Sequence, residues 1–521
     1  MSHLGHVQPV VRLSMLLQEA VNEELGKDHE RYTRKLPLDS VIRPQYRGEL
    51  KRKLTNLCGF LREVVFRAQI FVNGYIISSA GQEITAYVYT QSFWYSVCQV
   101  ILDKKVSNKN SNMPSDLLGY WAQFRATYPS VIFSSQGFSG YSDALSAACK
   151  TLATCYTNNI VETFENRVVQ YSIRKLKAAV PELPNGRIKD FAREYIYERV
   201  CGGDPLWPGA VPLVSTHITG AVNSLCEELS SVIPVPATAE IMSASPGRFV
   251  PALRYILSIY DEEYKNSKGS DDEELPRRFS LSPMPSTKWR FATINAKALS
   301  CLTESTSEGD FEQNSALFHT VFDFTKLGYR SVEELKNSSV DRGVIFTNQL
   351  LSHGFAVDFQ FARKSVKKER ATVDTELTAT DFTEEEITDC FQPCAVDPGR
   401  SQVFTAAYGC GNSPHEIRRC STREYYTYTG SPLRQKVIQA EKKKACIEAI
   451  ETDLETGKTQ SLEVYDTYVR CTFQHMDALF AFYGPTKAEA QFRDYQGRQR
   501  APEEMVNILT NGGKKIQQKP S

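Results

Sequence analysis

Leu54, Leu57, Leu61, Val64, Val65 and Ala68 recur at three- and four-residue steps, the spacing that lines one face of an α-helix. Ile160, Phe164, Val168 and Tyr171 repeat it, predicting a second long helix over 158–179. Arg167, Arg174, Lys175 and Lys177 fall away from that stripe, as a solvated face or as contacts for nucleic-acid phosphates. Glycines and prolines between Cys201 and Pro212 interrupt the pattern. A further helix is predicted over Gly247 to Tyr264, and the polar, acidic run from Asn266 to Glu274 reads as an exposed linker. Beyond it the period shortens. Arg278 to Pro283 and Phe291 to Ile294 read as short extended segments. Phe355, Val357, Phe359 and Phe361 alternate with Ala356, Asp358, Gln360 and Ala362, as in a half-buried strand. Lys364 to Asp389 is a charged, polar insertion. A second strand system opens at Gln392: apolar residues lead into Asp397, Pro398 and Gly399 turn the chain, and Val403 to Tyr408 returns. Tyr425 to Thr429 is expected as a third strand, followed by helices over Pro432 to Ile450, Val464 to Phe482 and Thr486 to Leu509.

Strand, hairpin, strand and then helices is the opening order of an RNase H-like α/β domain. The expected layout is multidomain: a mainly α-helical amino-terminal lobe (1–210), a helical segment with the acidic linker (211–275), a small β-containing segment (276–363), the polar insertion (364–391), an incomplete α/β domain (392–515) and a tail (516–521). Length agrees with several domains, since 521 residues exceed the roughly 250–300 at which one hydrophobic core stops growing. With 41% apolar and 23% charged residues the chain has the make-up of a globular protein.

Charge and cysteines narrow the function. Lys plus Arg and Asp plus Glu both number 61, so the whole chain offers no net attraction to a polyanion, and nucleic-acid binding would require a local basic groove. Thirteen scattered cysteines and no secretory leader pattern predict a reducing, intracellular setting. The most apolar stretch, Phe66 to Ile77, is broken by Arg67, Gln69, Asn73 and Gly74, so no membrane partner is expected.

Asp397 is the leading candidate for chemistry. Asp-Pro-Gly is a common turn sequence; alternatively, a carboxylate ending a buried apolar strand is held where a divalent cation binds, and two Mg²⁺ ions can hold the attacking water and leaving oxygen of phosphodiester cleavage. Arg418, Arg419 and Arg423 lie near Tyr425, Tyr426 and Tyr428, a mixture that suits a single-strand or heteroduplex surface or a strand pair with cross-strand tyrosines. Arg493, Arg498 and Arg500 partly share a helix face and suit backbone contacts rather than base reading. Cys390, Cys394, Cys410 and Cys420 read as reduced cysteines rather than a zinc site. Lys442 to Lys444 is a basic run too short to identify nuclear import.

The run AVDPGR, Ala395 to Arg400, followed by an aromatic-rich strand and STREYYTYTGS, Ser421 to Ser431, resembles the first catalytic segment of the RuvC-like nuclease domain of Fanzor-type proteins, eukaryotic relatives of transposon-encoded RNA-guided DNA nucleases. FSLSP, Phe279 to Pro283, is similar to a short motif preceding that domain, and FRDYQGRQRAPEE, Phe492 to Glu504, resembles its arginine-bearing helix. The resemblance covers about 279–515. It implies guide RNA and target DNA as partners, a nuclear location, Mg²⁺ as cofactor and Asp397 as the first of three metal-binding acids. The other two acids, and the family's zinc cluster between them, are expected after the last helix, beyond Ser521. Only the first acid of a Mg²⁺-dependent DNA endonuclease is therefore expected, zinc is not expected in this chain, and Glu441 and Glu448 are not promoted to ligands. An incomplete sheet with one open strand edge follows. A non-catalytic remnant, a domesticated nucleic-acid-binding protein and a longer reading frame remain alternatives. Ser352-His353-Gly354 stands where the family usually carries an Asp-Gly pair.

Overall fold

The computed structural model describes residues 29–79, 86–104, 113, 115–136, 138, 140–202, 216–267, 275–305, 311–336, 344–364, 381–383, 385–386, 391, 393–409 and 415–513. Most of the glycine- and proline-rich break, the acidic linker and the polar insertion, together with Cys390 and Cys410, lie outside these residues. The chain is mostly helical with two small antiparallel sheets. In chain order the principal elements are β1 (His29–Pro37), α1 (Arg47–Ser78), α2 (Gln91–Ile101), α3 (Ser142–Ala179), α4 (Val250–Asn266), β2 (Ala292–Asn295), β3 (Val344–Ser352), β4 (Ala356–Lys364), β5 (Cys394–Pro398), β6 (Gln402–Tyr408), β7 (Glu416–Ser421), α5 (Thr422–Thr429), α6 (Ser431–Lys444), α7 (Ile447–Asp453), α8 (Leu462–Phe482) and α9 (Ala488–Asn511).

These fall into two compact units, each discontinuous in sequence: one from Met1–Thr55, Ile294–Glu448 and Pro485–Ser521, the other from Asn56–Thr293 and Ala449–Gly484. The second unit is helical. Phe66 of α1 meets Phe480 of α8 edge to face. Arg62 donates to the carbonyls of Thr287, Tyr483 and Phe480, satisfying the last carbonyls of α8 that have no intrahelical donor. Arg254 does the same for α1 at Ile76 and Ile77. The carboxylate of Asp261 accepts from Thr459 Oγ1 at 2.8 Å and from the Gln460 N–H at 3.0 Å, and Arg278 approaches its other oxygen at 3.6 Å. Arg278 to Pro283 forms no strand. It is extended chain fixed by side chains: Asn159 donates to the Leu281 carbonyl, Asn73 to that of Pro283, and Arg167 lies over the Phe279 ring at 4.6 Å.

In the first unit β4 lies between β1 and β3 in the larger sheet. Val357, Phe359 and Phe361 of β4 are buried, as their alternation predicts, and pack with Phe346, Phe322 and Phe324. The β3–β4 turn needs Gly354, whose φ is +84° and where a Cβ would strike the Thr55 hydroxyl. The smaller sheet has the order β5-β6-β7. Helix α9 serves both sheets: its Phe492 ring packs on Phe355 and its Tyr495 ring lies under Lys35, while Met505, Ile508 and Leu509 cover Phe404, Ala406, Tyr408 and Cys420.

Two expected elements differ. Tyr425 to Thr429 is helix α5, not the third strand, and Glu416–Ser421 takes that place as β7. Ser421 and Glu424 form a complete capping box, and Gly430 ends the helix at φ +71°; these terminal signals outweigh the β-propensity of the aromatic run. The helix expected over Pro432 to Ile450 is interrupted by Cys446, whose φ is +58°, and is divided into α6 and α7.

Candidate functional site

Asp397 lies on β5, the first strand of the smaller sheet, as its sequence pattern predicts. It pairs with Thr405, which pairs with Arg419 of β7, so the three side chains form a row on one face, Asp397 and Arg419 separated by about 10 Å across two strand spacings. The β5–β6 connection is tied to the start of α5: Thr422 donates its N–H to Ser401 at 3.0 Å and its hydroxyl to the Arg400 carbonyl at 2.5 Å.

The strand was expected to be buried and is not. Every residue of β5 is exposed, because β5 forms an open sheet edge, with no fourth strand against it among the described residues. The face opposite Asp397 carries the core, and its half of β5 includes Val396, 49% exposed. On the other face Asp397 and Arg419 are exposed and Thr405 is half-buried.

Register separates the two neighbouring arginines. Arg418 pairs with buried Ala406 and therefore faces the core, whereas Arg419 faces the opposite side with Asp397. The Arg418 guanidinium stacks over Tyr408 at 4.3 Å, meets Glu416 at 2.8 Å and donates to the Leu509 carbonyl at 2.6 Å. The Tyr408 hydroxyl donates to the same carbonyl. Arg418 thus satisfies an acceptor in the last turn of α9, and Glu416 raises its pKa further above the ordinary guanidinium value.

Arg500 likewise donates to the Tyr428 carbonyl at the end of α5, at 3.0 Å. Beside it Gly497 permits a close approach of α9 to α5, since a Cβ there would collide with the Thr429 carbonyl. Arg493 forms a surface pair with Glu489 at 2.7 Å. Arg419, Arg423 and Arg498 are exposed, without an ion pair among the described residues. The tyrosine platform contracts as well: Tyr425 and Tyr428 pack against the sheet core, leaving Tyr426 half exposed on α5. In the helical unit, Arg174 pairs with Glu263 at 2.6 Å, and Arg167 is engaged by Phe279.

The donor set does not fit two Mg²⁺ ions. No group of three His, Cys, Asp or Glu side chains among the described residues is placed to hold a metal, and the charged partner in the Asp397 row is a cation. Glu441 is paired with Lys487, and Glu448 accepts from Gln439. Cys420 is buried and Cys394 exposed, opposite Phe404 and Tyr408 respectively. Among the described residues no helix is long and apolar enough to cross a membrane.

His353, singled out in the sequence only as a departure from the family pattern, has a definite role. Its Nδ1 accepts from the N–H groups of Phe355 at 3.3 Å and Ala356 at 3.2 Å, closing the β3–β4 turn as an Asp or Asn side chain would. No protein-family model matches this chain, and no curated protein is similar to it in sequence.

Proposed function

We propose that the chain is a nucleic-acid-binding protein related to the Fanzor-type RNA-guided proteins, engaging guide RNA and target DNA through their phosphates in the nucleus, without cleaving DNA itself. The observation that carries this reading is the pair of solvent-facing guanidinium groups on the strand system bearing the resemblance: Arg419 on the open face of the sheet, and Arg423 in the first turn of α5. Arg498 on α9 adds a third. These groups are free of protein carboxylates among the described residues, so phosphate oxygens can take their donors without first displacing a salt bridge. Contacts of this kind hold a backbone and leave sequence choice to base pairing. Mg²⁺ would supply charge stabilisation and an activated water for cleavage, but Asp397 alone cannot hold a pair of ions. The reading therefore stops at binding.

The test is filter binding of structured RNA by the purified full chain over a salt series. Affinity is expected to fall steeply with salt, and Arg419→Ala, Arg423→Ala and Arg498→Ala together should lower the slope of log K against log salt by up to about 2. Asp397→Ala should leave binding unchanged, with no Mg²⁺-dependent cutting of matched DNA by either protein. Salt-insensitive binding, or none at low salt, would remove the nucleic-acid assignment; Mg²⁺-dependent cutting abolished by Asp397→Ala would show that another acid completes the site.

A further inference from the structure

Helix α6 packs by its polar side. Ser431, Arg434, Ile438 and Lys442 are half-buried, the other ten residues are exposed, and none is fully buried. Arg434 anchors the helix by pairing with Asp494 and donating to the Thr429 carbonyl, and Glu441 pairs with Lys487. At 100° per residue the half-buried positions lie together, and Leu433, Val437 and Ala440 form a separate stripe turned towards solvent. Leu433 is 70% exposed and Val437 50%. A surface helix normally turns such residues inward.

The stripe has the spacing of a coiled-coil seam. Leu433, Val437, Ala440 and Lys444 follow one another at steps of four, three and four, so Leu433 and Ala440 occupy d positions and Val437 and Lys444 occupy a positions. Lys436 and Lys443 border the seam at g positions. These three lysines are exposed and make no ion pair among the described residues, while the acid on the other border, Glu441, is taken by Lys487.

We propose that this face of α6 docks an acidic amphipathic helix of a partner protein. The partner's apolar a and d residues would cover Leu433, Val437 and Ala440, and its carboxylates would meet Lys436, Lys443 and Lys444. Charge decides against a second copy of this chain: a parallel pair sets Lys444 against Lys444, and an antiparallel pair brings the Lys436 and Lys443 borders together.

The probe is a synthetic helix with Leu at a and d and Glu at e and g, titrated calorimetrically into the full chain beside a scrambled peptide of identical composition. The patterned peptide is expected to bind and the scramble not. Leu433→Asp with Val437→Asp should weaken binding by about tenfold or more, and Lys436→Glu with Lys443→Glu should do likewise, with circular dichroism unchanged because these side chains are exposed. Equal binding of both peptides, or a concentration-dependent dimer abolished by the Leu433 and Val437 changes, overturns the proposal. So does RNA binding that responds to the lysine changes but not to the apolar ones, which would make α6 a nucleic-acid surface.

Discussion

Replacing His353 with Asn should flatten the acid limb of stability in the unit built on the β3–β4 hairpin. The His353 side chain is 1% exposed, and burial, assisted by the charge of Lys35, lowers its pKa from 6.5 to about 4. The cause is structural: Nδ1 is an acceptor for two backbone N–H groups, and a proton there would turn it into a donor facing donors. Between pH 6.5 and 4 the unfolded chain binds a proton at this position that the folded chain does not. Stability is therefore full above about pH 6.5 and declines as the pH falls, by about 1.4 kcal/mol per unit and about 3 kcal/mol in total. Asn offers a side-chain oxygen to the same turn and does not titrate. Asp358, whose pKa is raised by burial, acts in the opposite sense but is present in both proteins and cancels in their comparison. Hydrogen exchange of peptides from β3 and β4 reports this unit directly. Wild type and His353→Asn should be similar at pH 7.5, and at pH 4.5 the wild type should have lost about 2 to 3 kcal/mol more opening free energy. An equal loss in both would refute the burial and acceptor argument.

Gly497→Ala should destabilise the first unit by about 2 kcal/mol or more in urea denaturation, since the added methyl meets the Thr429 carbonyl; in an exposed helix the same change stabilises by about 1 kcal/mol, so the sign alone decides. Asp261→Ala should cost about 3 kcal/mol, because Thr459 Oγ1 and the Gln460 N–H lose their acceptor. Fluorescence of Trp94, Trp121 and Trp289, all in the helical unit, follows that loss, and an unchanged midpoint would contradict it. Arg418→Ala should raise hydrogen exchange over 505–511 and leave the salt slope of RNA binding as it was, whereas Arg419→Ala should lower the slope and leave exchange there unchanged; a reversed pair of results would mean that the register places the two side chains on the wrong faces.

Local patterns were legible wherever one physical signal dominated. Apolar residues at helical spacing marked α1 and the second half of α3, two-residue alternation marked β4, and Pro398-Gly399 marked the turn between β5 and β6. The third strand was misplaced although its signal was present: Ser421 and Glu424 are three apart and Gly430 follows, a start and stop for α5 that aromatic strand propensity obscured. Other features were decided by tertiary structure. Whether Asp397 is buried depends on what lies beside β5, which its own residues do not state. Arg418 and Arg419 are identical neighbours in the sequence, and strand alternation guarantees only that they point to opposite faces. Docking of α9 on one face makes Arg418 a support for a helix end and leaves Arg419 in solvent. Leu433 and Val437 read as core residues by type, yet the anchors Arg434 and Glu441 turn them outward, because the orientation of a helix is fixed by the partners that its other faces find.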